Sequence, residues 1–394
     1  MTINDLPQGT TADTIPLMLG HPDPSTLITP ELRAAMLHFL DSPQAAAALQ
    51  YGAEQGAQSL IDFLVAKIRR EQGLAIGPEN VMVTAGSTGA VDMLARLFAG
   101  AGSVALVEAP TYVDALHIFR DQQVELHAIP MDEHGLIPGE LERQVAQLHA
   151  SGKAPRLLYT IPTFHNPTGT TLPEARRRDI LSLARQYGFL IVEDDVYRDL
   201  SFEGEVPPGF YALDDGEHVL SIGSFSKTLA PGLRLGWLVG SEENIARCVN
   251  CGTLQMGGGA NPFTAQMIAA YCHSGHWERH IANLRALYKT RRDVALSALR
   301  RYMPPNVGWT HPAGGFFIWL DLPQHVSAQD IKRRALQAGV LLSAGEGFFV
   351  NPVNGSRHLR LTYSFAAPAD IDAGIRILAR VIEQAAQAGQ TDQV

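Results

Sequence analysis

One lysine stands apart from the other charged residues of this sequence. Lys227 lies in the run SIGSFSKTLAPGLRLG (221–236), between apolar stretches at 218–220 and 235–239. Burial between apolar strands favours the neutral form of an amine, which is the nucleophilic form. The sequence therefore predicts a reactive amine at this position, the alternative being a loop lysine that merely follows a strand. The chain has four other lysines, which lie among charged residues or in a loop and are expected to be solvated: Lys67, Lys153, Lys289 and Lys332.

Small residues and hydroxyls precede a helical run early in the chain. The segment 84–90 reads TAGSTGA and leads into the apolar run 91–98, with Gly86, Ser87 and Thr88 at the junction. Backbone N–H groups at a helix N-terminus bind phosphate, and the two hydroxyls add donors. The G-K-[ST] signature of a nucleoside-triphosphate loop does not follow, so a phosphate monoester is predicted. Alternatively, Ser87 simply caps the helix.

Aromatic and amide side chains follow two further predicted strands. Tyr112 comes shortly after a strand that ends at Glu108, at the sheet edge where ligands of parallel sheets gather, so it can stack on a flat ring. Asn166 lies between His165 and a proline, and its amide can donate a hydrogen bond to a ring oxygen. The alternatives are a tyrosine packed at a domain seam and an asparagine that starts a turn.

A carboxylate follows the apolar fifth predicted strand. Asp194 emerges from the run at 189–193, where its charge is costly unless it meets a cation or a strong donor. A protonated pyridine nitrogen is such a partner, and Tyr197, three residues later, can reach the same ring. Asp194 and Asp195 together can also hold Mg²⁺, but the neighbouring sequence supplies no further oxygen ligands.

Taken together, these groups supply every contact that pyridoxal 5′-phosphate needs. Their order resembles the fold-type I pyridoxal-phosphate enzymes, specifically the class I/II aminotransferases near the 2-aminoadipate and aromatic branch, over residues 16–386. This branch also supplies the C-terminal domains of some transcription regulators. The most specific matches are S-x-S-K-x-x-x-P-G-x-R (224–234), H-N-P-T-G (165–169) and D-x-x-Y (194–197).

The resemblance implies a role for each matching residue. Lys227 is expected to bind the cofactor covalently and then to shuttle a proton, while Asp194 keeps the pyridine nitrogen protonated. Asn166 and Tyr197 are expected to bind the phenolic oxygen, and Tyr112 to stack on the ring. Lys227, Asp194 and Tyr197 form the predicted catalytic set. The predicted phosphate-binding residues are Gly86, Ser87, Thr88, Ser224 and Arg234.

The resemblance also implies a substrate anchor and a partner subunit. Arg360 lies in the middle of a predicted strand among apolar residues. Its planar guanidinium group can donate two parallel hydrogen bonds to a carboxylate. The family pattern R-L-x-[FY] selects it over Arg357. Asn166 and Gly20 complete the predicted substrate-binding set. Tyr51 matches a tyrosine that such enzymes lend to the phosphate of the neighbouring subunit, which implies a homodimer with shared active sites.

The substrate preference follows from what the N-terminal arm contains. It has no arginine before Arg33, and its residues 15–20 read IPLMLG, so an apolar or aromatic amino donor is favoured over a dicarboxylic one, with a 2-oxo acid as acceptor. A lyase or decarboxylase on the same fold remains an alternative. A non-enzymatic cofactor-binding sensor is another, although no basic helix-turn-helix segment precedes the matched region.

The elements that position these residues alternate between strands and helices. Apolar runs between helical patterns predict an α/β fold with a seven-stranded, mostly parallel sheet between helices; the runs are 80–84, 103–108, 123–129, 156–161, 189–193, 218–222 and 234–239. A long helix at 277–303 leads to a smaller α+β domain, with strands at 316–322 and 358–363 and helices at 328–338 and 370–386. Two further features are a first helix at 30–40 and a capping box at 171–174. The predicted domains are an N-terminal arm that also forms part of the small domain (1–45), a large cofactor-binding domain (46–280) and a small C-terminal domain (281–394).

Composition excludes several classes of function. The 394 residues are 46% apolar and 18% charged with a net charge of −9, typical of a globular protein without affinity for nucleic acid or anionic lipid. No segment resembles a secretory signal or a membrane span, and three cysteines indicate a reducing compartment, by default the cytoplasm. The triplet 176–178 is expected to form a solvated face. No metal is expected at Cys248-x-x-Cys251, at Cys272-His273 or at His276-x-x-x-His280, and the last pair is interpreted as solvated.

Overall fold

The computed structural model describes residues 14–214 and 216–391, and its main sheet has eight strands. The strands of the molecule are β1 (Ile15–Pro16), β2 (Val81–Thr84), β3 (Val104–Ala109), β4 (Glu125–Asp132), β5 (Gly135–Leu136), β6 (Pro155–Thr160), β7 (Leu190–Asp194), β8 (Val219–Ser224), β9 (Gly236–Val239), β10 (Gly308–Trp309), β11 (Phe317–Asp321), β12 (Val340–Leu341), β13 (Ser343–Ala344) and β14 (His358–Thr362). The main sheet has the order β2-β9-β8-β7-β6-β3-β4-β5, in which β5 and β9 run against their neighbours. All seven predicted strands are present, and the two-residue β5 is an unpredicted eighth.

Helices cover the sheet, so its strands are buried on both faces and their sequences are continuous apolar runs. The helices are α1 (Pro30–Leu40), α2 (Pro43–Ala48), α3 (Gln58–Gln72), α4 (Gly86–Leu94), α5 (Val113–Asp121), α6 (Pro138–Ala150), α7 (Glu174–Tyr187), α8 (Phe210–Asp214), α9 (Glu242–Val249), α10 (Pro262–His273), α11 (Trp277–Tyr302), α12 (Ala328–Gln337) and α13 (Pro368–Thr391). Strands of a parallel sheet are buried on both faces, as the first five residues of β3 are. Because β3, β6, β7 and β8 run parallel to one another, their carboxyl ends meet at one edge of the sheet.

A second, antiparallel sheet follows the long helix α11. Its order is β10-β11-β14-β13, and it shares a buried apolar cluster with α11, α12 and α13. The N-terminal arm joins this region, since β1 pairs in parallel with β12. The predicted division at residues 45 and 280 stays a prediction, and residues 1–13 of the predicted arm lie outside the described residues.

The predicted capping box at 171–174 is wrong. The helix α7 begins at Glu174 after an extended Pro173, and no side chain caps it. The Thr171 hydroxyl instead accepts a hydrogen bond from the backbone N–H of Phe164 at 3.3 Å. Thr171 thus stabilises the turn that follows β6. Because its hydroxyl accepts from Phe164, it does not cap α7.

Three charged or polar residues predicted to be solvated are buried instead. Lys67 is 5% exposed and forms ion pairs with Glu71 at 2.6 Å and Asp199 at 2.9 Å. Arg177, in the middle of the 176–178 triplet, is 0% exposed and donates to three backbone carbonyls. His280 is buried with its Nε2 2.7 Å from the Thr228 carbonyl oxygen. Each of these groups has found the partners that a buried polar group requires.

No helix among residues 14–214 and 216–391 is both long enough and apolar enough to cross a lipid bilayer. The three cysteines, Cys248, Cys251 and Cys272, are buried free thiols.

Candidate active site

A cavity of about 430 Å³ lies where the main sheet, the second sheet and the N-terminal arm meet. Ten of the predicted site residues lie on its wall: Gly20, Ser87, Thr88, Tyr112, Asn166, Asp194, Tyr197, Lys227, Arg234 and Arg360. Gly86, Ser224 and Tyr51 do not. The fold thus gathers at one place residues that are distant in the chain, since Met18 and Arg360, both on the wall, are 342 positions apart.

Lys227 follows β8 and is half-buried at this cavity. Its ammonium nitrogen, Nζ, donates to the Gly20 carbonyl oxygen at 3.2 Å and lies 5.9 Å from the centre of the Tyr197 ring. Burial, reinforced by the nearby positive charge of Arg360, lowers the pKa of Lys227 to about 8. About a tenth of the amine is therefore neutral and nucleophilic at pH 7, far more than for a solvated lysine.

Asp194 is the last residue of β7 and is buried. Its Oδ2 accepts a hydrogen bond from the Tyr159 hydroxyl at 2.6 Å, whereas its Oδ1 has no hydrogen-bond partner among the described residues. Burial raises the pKa of Asp194 to about 6, against the opposing effect of the Tyr159 hydrogen bond. A buried acceptor without a donor is destabilising, so this oxygen suits a cationic N–H group of a ligand.

The phosphate-binding residues were predicted at the segment that forms the N-terminus of α4. The helix begins at Gly86, and the preceding Ala85 provides no side-chain cap, so Ser87 is inside the helix and does not cap it. Gly86 has a φ of 77°, and a Cβ at this position would lie 2.8 Å from Arg234 Nη2. The absence of a side chain at Gly86 thus lets the Arg234 guanidinium approach the uncapped helix end, which suits an anion.

Two serines shortly precede the lysine, and only one of them lies on the cavity wall. Ser224 is not on the wall, and its Oγ accepts from the Ser226 backbone N–H at 3.0 Å and donates to the Leu235 carbonyl at 3.4 Å. Ser226 lies on the wall itself. Ser226 was not predicted, although its place directly before Lys227 in the S-x-S-K run is a usable signal.

Arg360 and Asn166 are joined on the cavity wall. Arg360 Nη1 donates to Asn166 Oδ1 at 3.0 Å, which leaves the Asn166 amide group as a donor. Arg360 Nη2 donates to the Met18 carbonyl oxygen at 3.0 Å, and Nε has no hydrogen-bond partner among the described residues. The guanidinium carbon lies 4.6 Å and 4.9 Å from the ring centres of Phe317 and Phe348. Burial lowers the pKa of Arg360 to about 10, so the group stays cationic and suits a carboxylate.

Tyr112 and Tyr51 differ in their surroundings. Tyr112 lies on the cavity wall, and its hydroxyl donates to Asp114 Oδ2 at 2.5 Å, which fixes the ring. Tyr51 is 86% exposed and packs beside Gly257, away from the wall. Within one chain, then, Tyr51 takes no part in the cavity.

Comparison with known proteins places this geometry in a family. The family model for aminotransferase class I and II matches residues 14–378. The chain belongs to the class I and II aminotransferases. The prediction of this family and of a transaminase is confirmed.

Three similar proteins illustrate the range of the family. The aminotransferase is 36% identical over 374 residues to aromatic-amino-acid aminotransferase 1 of Thermococcus litoralis, covering 95% of this chain and 89% of that protein. The solved kynurenine aminotransferase of Pyrococcus horikoshii, in complex with PMP, superimposes with a TM-score of 0.90 at 36% identity, over 95% of this chain and 92% of that one. The α-aminoadipate aminotransferase LysN of Thermus thermophilus, complexed with N-(5′-phosphopyridoxyl)-L-leucine, gives a TM-score of 0.86 at 31% identity, over 96% of this chain and 94% of that one.

Several wall residues of the aminotransferase were not predicted as site residues. They include Lys332, which was expected to be solvated but is half-buried at the cavity. The prediction failed because α12 packs beside β12 and β13, a neighbourhood that the local sequence does not show. The other unpredicted polar residues of the wall are His21, Asp114, Ser226 and Ser343.

Proposed function

We propose that this aminotransferase binds pyridoxal 5′-phosphate through Lys227 and moves an amino group between an apolar or aromatic L-amino acid and a 2-oxo acid. The observation that carries the proposal is the buried carboxylate of Asp194, whose Oδ1 has no donor among the described residues, on the same cavity wall as an amine of lowered pKa. The PMP and phosphopyridoxyl complexes of the two structural neighbours support it.

The residues of the cavity fit the cofactor part by part. Asp194 Oδ1 would accept from the pyridine N–H, and the uncapped end of α4 would hold the phosphate. Tyr112 would stack on the ring, while the Asn166 amide and the Tyr197 hydroxyl would donate to the phenolic oxygen. The residues that would share the phosphate are Gly86, Ser87, Thr88, Ser224 and Arg234. When bound, the cofactor supplies an electron-withdrawing ring and the carbon at which nitrogen is exchanged.

The chain's own groups then hold and move protons. Lys227 Nζ would take the proton from Cα of the substrate and hold it for delivery to the carbon at which nitrogen is exchanged, a task suited to an amine whose pKa is about 8. Asp194, with a pKa of about 6, is ionised at neutral pH and can hold a proton on its partner nitrogen. Tyr159 stabilises that charge through its hydrogen bond to Oδ2.

The cavity also supports the proposed substrate class. Arg360, oriented by Asn166 and by two phenylalanine rings, binds the substrate α-carboxylate with two parallel hydrogen bonds. Apolar side chains supply much of the remaining wall, which favours an apolar or aromatic substrate; they include Met18, Ile161, Phe317, Leu342 and Phe348. Aromatic amino acids are also named for the Thermococcus relative.

A homodimer completes the proposal. Tyr51 is exposed within one chain, as are several large apolar side chains, namely Leu37, Leu40, Leu49 and Met256. A second copy would cover them and would receive Tyr51 at its phosphate cradle. The enzyme would act in a reducing compartment such as the cytoplasm, in keeping with its three free thiols.

Borohydride trapping tests the proposal directly. Protein reduced in the presence of the cofactor should carry a phosphopyridoxyl label on Lys227, and Lys227→Ala should lose both the label and about 10²–10⁴-fold in kcat. Lys153→Ala is the matched control, because this lysine lies on an exposed loop and pairs with Glu125. A label on another lysine would refute the proposed site.

The same preparation separates the alternative reactions. With an aromatic donor and a 2-oxo acid, each molecule of donor consumed should yield one new amino acid and one new 2-oxo acid. Consumption of the donor without a new amino acid would favour the lyase, and absence of any reaction with a full donor set would favour the sensor.

A further inference from the structure

A buried glutamate near the end of β3 has no part in the cavity wall. Glu108 is 2% exposed, and its carboxylate joins β3 to the end of β6. Its Oε1 accepts from the Thr160 hydroxyl at 2.7 Å, and its Oε2 accepts from the Ile161 backbone N–H at 2.8 Å. The carboxylate therefore fixes the end of β6, just before the turn that carries Asn166.

His165 is a second buried polar group, and it faces this glutamate. Its Nε2 lies 3.1 Å from Glu108 Oε2, and both side chains are 1% exposed. Its other ring nitrogen, Nδ1, accepts from the Thr168 backbone N–H at 3.3 Å and lies 2.9 Å from the Thr168 hydroxyl. Because Nδ1 is an acceptor, we assign the proton of the neutral ring to Nε2, the nitrogen that faces the carboxylate.

The contact between the two side chains is close but not linear. The ring N–H direction deviates from Glu108 Oε2, and Nε2 has no other partner in the part of the chain that the structure describes. A buried N–H without an acceptor is costly, so the carboxylate is the group on which the orientation of the His165 ring depends.

Asn166 follows His165 in the same turn and holds the substrate anchor. It is buried, and its Oδ1 accepts from Arg360 Nη1 at 3.0 Å. The turn is closed around it, because the His165 carbonyl oxygen accepts from the Gly169 backbone N–H at 2.6 Å. Contacts thus lead from Glu108 through His165 and the adjoining backbone to Asn166 and Arg360.

We propose that Glu108 and His165 are positioning residues, which hold this turn so that Asn166 orients Arg360 and presents its amide N–H to the cofactor. The proposal rests on the proposed function, which gives Asn166 and Arg360 these roles. Neither Glu108 nor His165 lies on the cavity wall, so both act through Asn166 alone. Paired polar groups fix the orientation of a buried segment more narrowly than apolar packing does.

Two variants remove the contact, one from each side. Glu108→Gln replaces the carboxylate by an amide, and His165→Asn keeps an acceptor near the place of Nδ1 but removes Nε2. Each should weaken binding of 3-phenylpropionate to the apoenzyme about tenfold in calorimetry, because a displaced Asn166 no longer orients Arg360. The double variant should bind no more weakly than the weaker single variant, because both changes break the same contact. His165→Gln, which returns an N–H near the place of Nε2, should recover most of the affinity.

The bound cofactor gives a second readout that does not depend on turnover. An N–H that donates to the phenolic oxygen stabilises the negative charge of that oxygen. Displacement of the Asn166 amide should therefore raise the pH midpoint of the cofactor's visible absorbance change by about one unit in Glu108→Gln and His165→Asn. In steady-state kinetics the KM for an aromatic donor should rise about tenfold while kcat falls less than about threefold, because Lys227 and Asp194 are unchanged.

Asp214→Asn is the matched control for loss of a buried carboxylate. Asp214 is buried and accepts from the His218 backbone N–H at 2.6 Å, but it lies off the cavity. This variant should be less stable in urea, yet it should keep the wild-type affinity for 3-phenylpropionate and the wild-type absorbance midpoint. If Glu108→Gln does not fold, Thr168→Val, which removes the hydroxyl beside Nδ1, should still weaken binding about threefold.

Three results would overturn the positioning role. They are unchanged affinity in the variants of Glu108, His165 and Thr168, equal losses in Asp214→Asn, and additive losses in the double variant. If the wild-type protein transfers no amino group from any donor, the proposed function fails, whereas binding of 3-phenylpropionate to the apoenzyme still decides whether the pair positions Arg360.

Discussion

The Tyr159 hydroxyl and the Asp194 carboxylate share one hydrogen bond of 2.6 Å, and it engages only one of the two carboxylate oxygens. The arrangement orients Asp194 and leaves Oδ1 on the cavity wall without a donor among the described residues. The ionised carboxylate of Asp194 is therefore buried at a cost to the stability of the folded protein. Such a cost in stability is expected where a residue serves binding.

Replacing this carboxylate should stabilise the apoenzyme and inactivate the enzyme. The pKa of Asp194 is about 6, above its usual 3.8, so the native state binds more protons than the unfolded state between about pH 4 and 6. Stability is therefore lost as the pH rises through this window. Asp194→Asn should raise the free energy of unfolding of the apoenzyme at pH 8 by up to about 3 kcal/mol, measured by urea denaturation.

The gain should vanish near pH 4, where the wild-type carboxyl is protonated, and kcat should fall by about 10²–10³ because the charge is gone. Tyr159→Phe serves as the control, since it removes the donor but leaves the charge and should destabilise the apoenzyme. If the Asp194→Asn variant were less stable than wild type at pH 8, this account of Asp194 would be contradicted.

The amine of Lys227 should titrate near pH 8 in the apoenzyme. Modification by trinitrobenzenesulfonate, followed by peptide mapping, should therefore reach half its maximal rate at this position near pH 8. Arg360→Met should move the midpoint to higher pH, because the Arg360 charge is the second cause of the lowered pKa after burial. An unchanged midpoint in the variant would show that Arg360 does not influence the amine, and exposed Lys153 provides a reference for the reagent.

Substitution of two glycines with similar backbone conformations should distinguish the cost of backbone strain from an effect on ligand binding. Gly86 and Gly100 have φ values of 77° and 82°, but a Cβ on Gly86 would meet Arg234, whereas one on Gly100 would meet nothing within 4 Å. Alanine at either position should cost about 1–2 kcal/mol of stability. Gly86→Ala alone should also weaken binding of pyridoxal 5′-phosphate to the apoenzyme, by about tenfold in a spectroscopic titration. Equal weakening in both variants would remove Gly86 from the cradle.

Mixed dimers test whether Tyr51 serves the neighbouring subunit. A Tyr51→Ala subunit keeps Lys227, and a Lys227→Ala subunit keeps Tyr51, so a hybrid of the two contains one complete site. After mixing and exchange in equal amounts, activity should rise to about a quarter of the wild-type value, because half of the dimers are hybrids with one site each. Activity that stays at the mean of the two parents would place Tyr51 outside the partner's site.

The sequence predicted those features that show as a difference between neighbouring residues, such as an apolar run or a charged residue beside one. Parallel strands buried on both faces produce continuous apolar runs, so all seven long strands of the main sheet were found. Lys227 and Asp194 were recognised for the same reason, as charges directly beside such runs. The short strand β5 was missed because two residues carry no periodic pattern.

Errors arose where distant partners decide the environment of a side chain. Lys67 is paired with a residue 132 positions away, and His280 with a carbonyl 52 positions away. The residues next to Lys67 and His280 in the sequence do not indicate these distant partners. Lys332 and His21 were not recognised as wall residues for a related reason, since only the packing of α12 and of the arm brings them to the cavity.

The arm that carries Met18 and Gly20 has one more consequence. The Met18 carbonyl accepts a hydrogen bond from Arg360, and the Gly20 carbonyl accepts one from Lys227. The backbone of residues 18–20 therefore connects the two side chains. A carboxylate that binds both Nη groups of Arg360 would have to replace the Met18 carbonyl as an acceptor. We therefore expect substrate binding at Arg360 to affect the position of the Gly20 carbonyl, and with it the contact that holds Lys227.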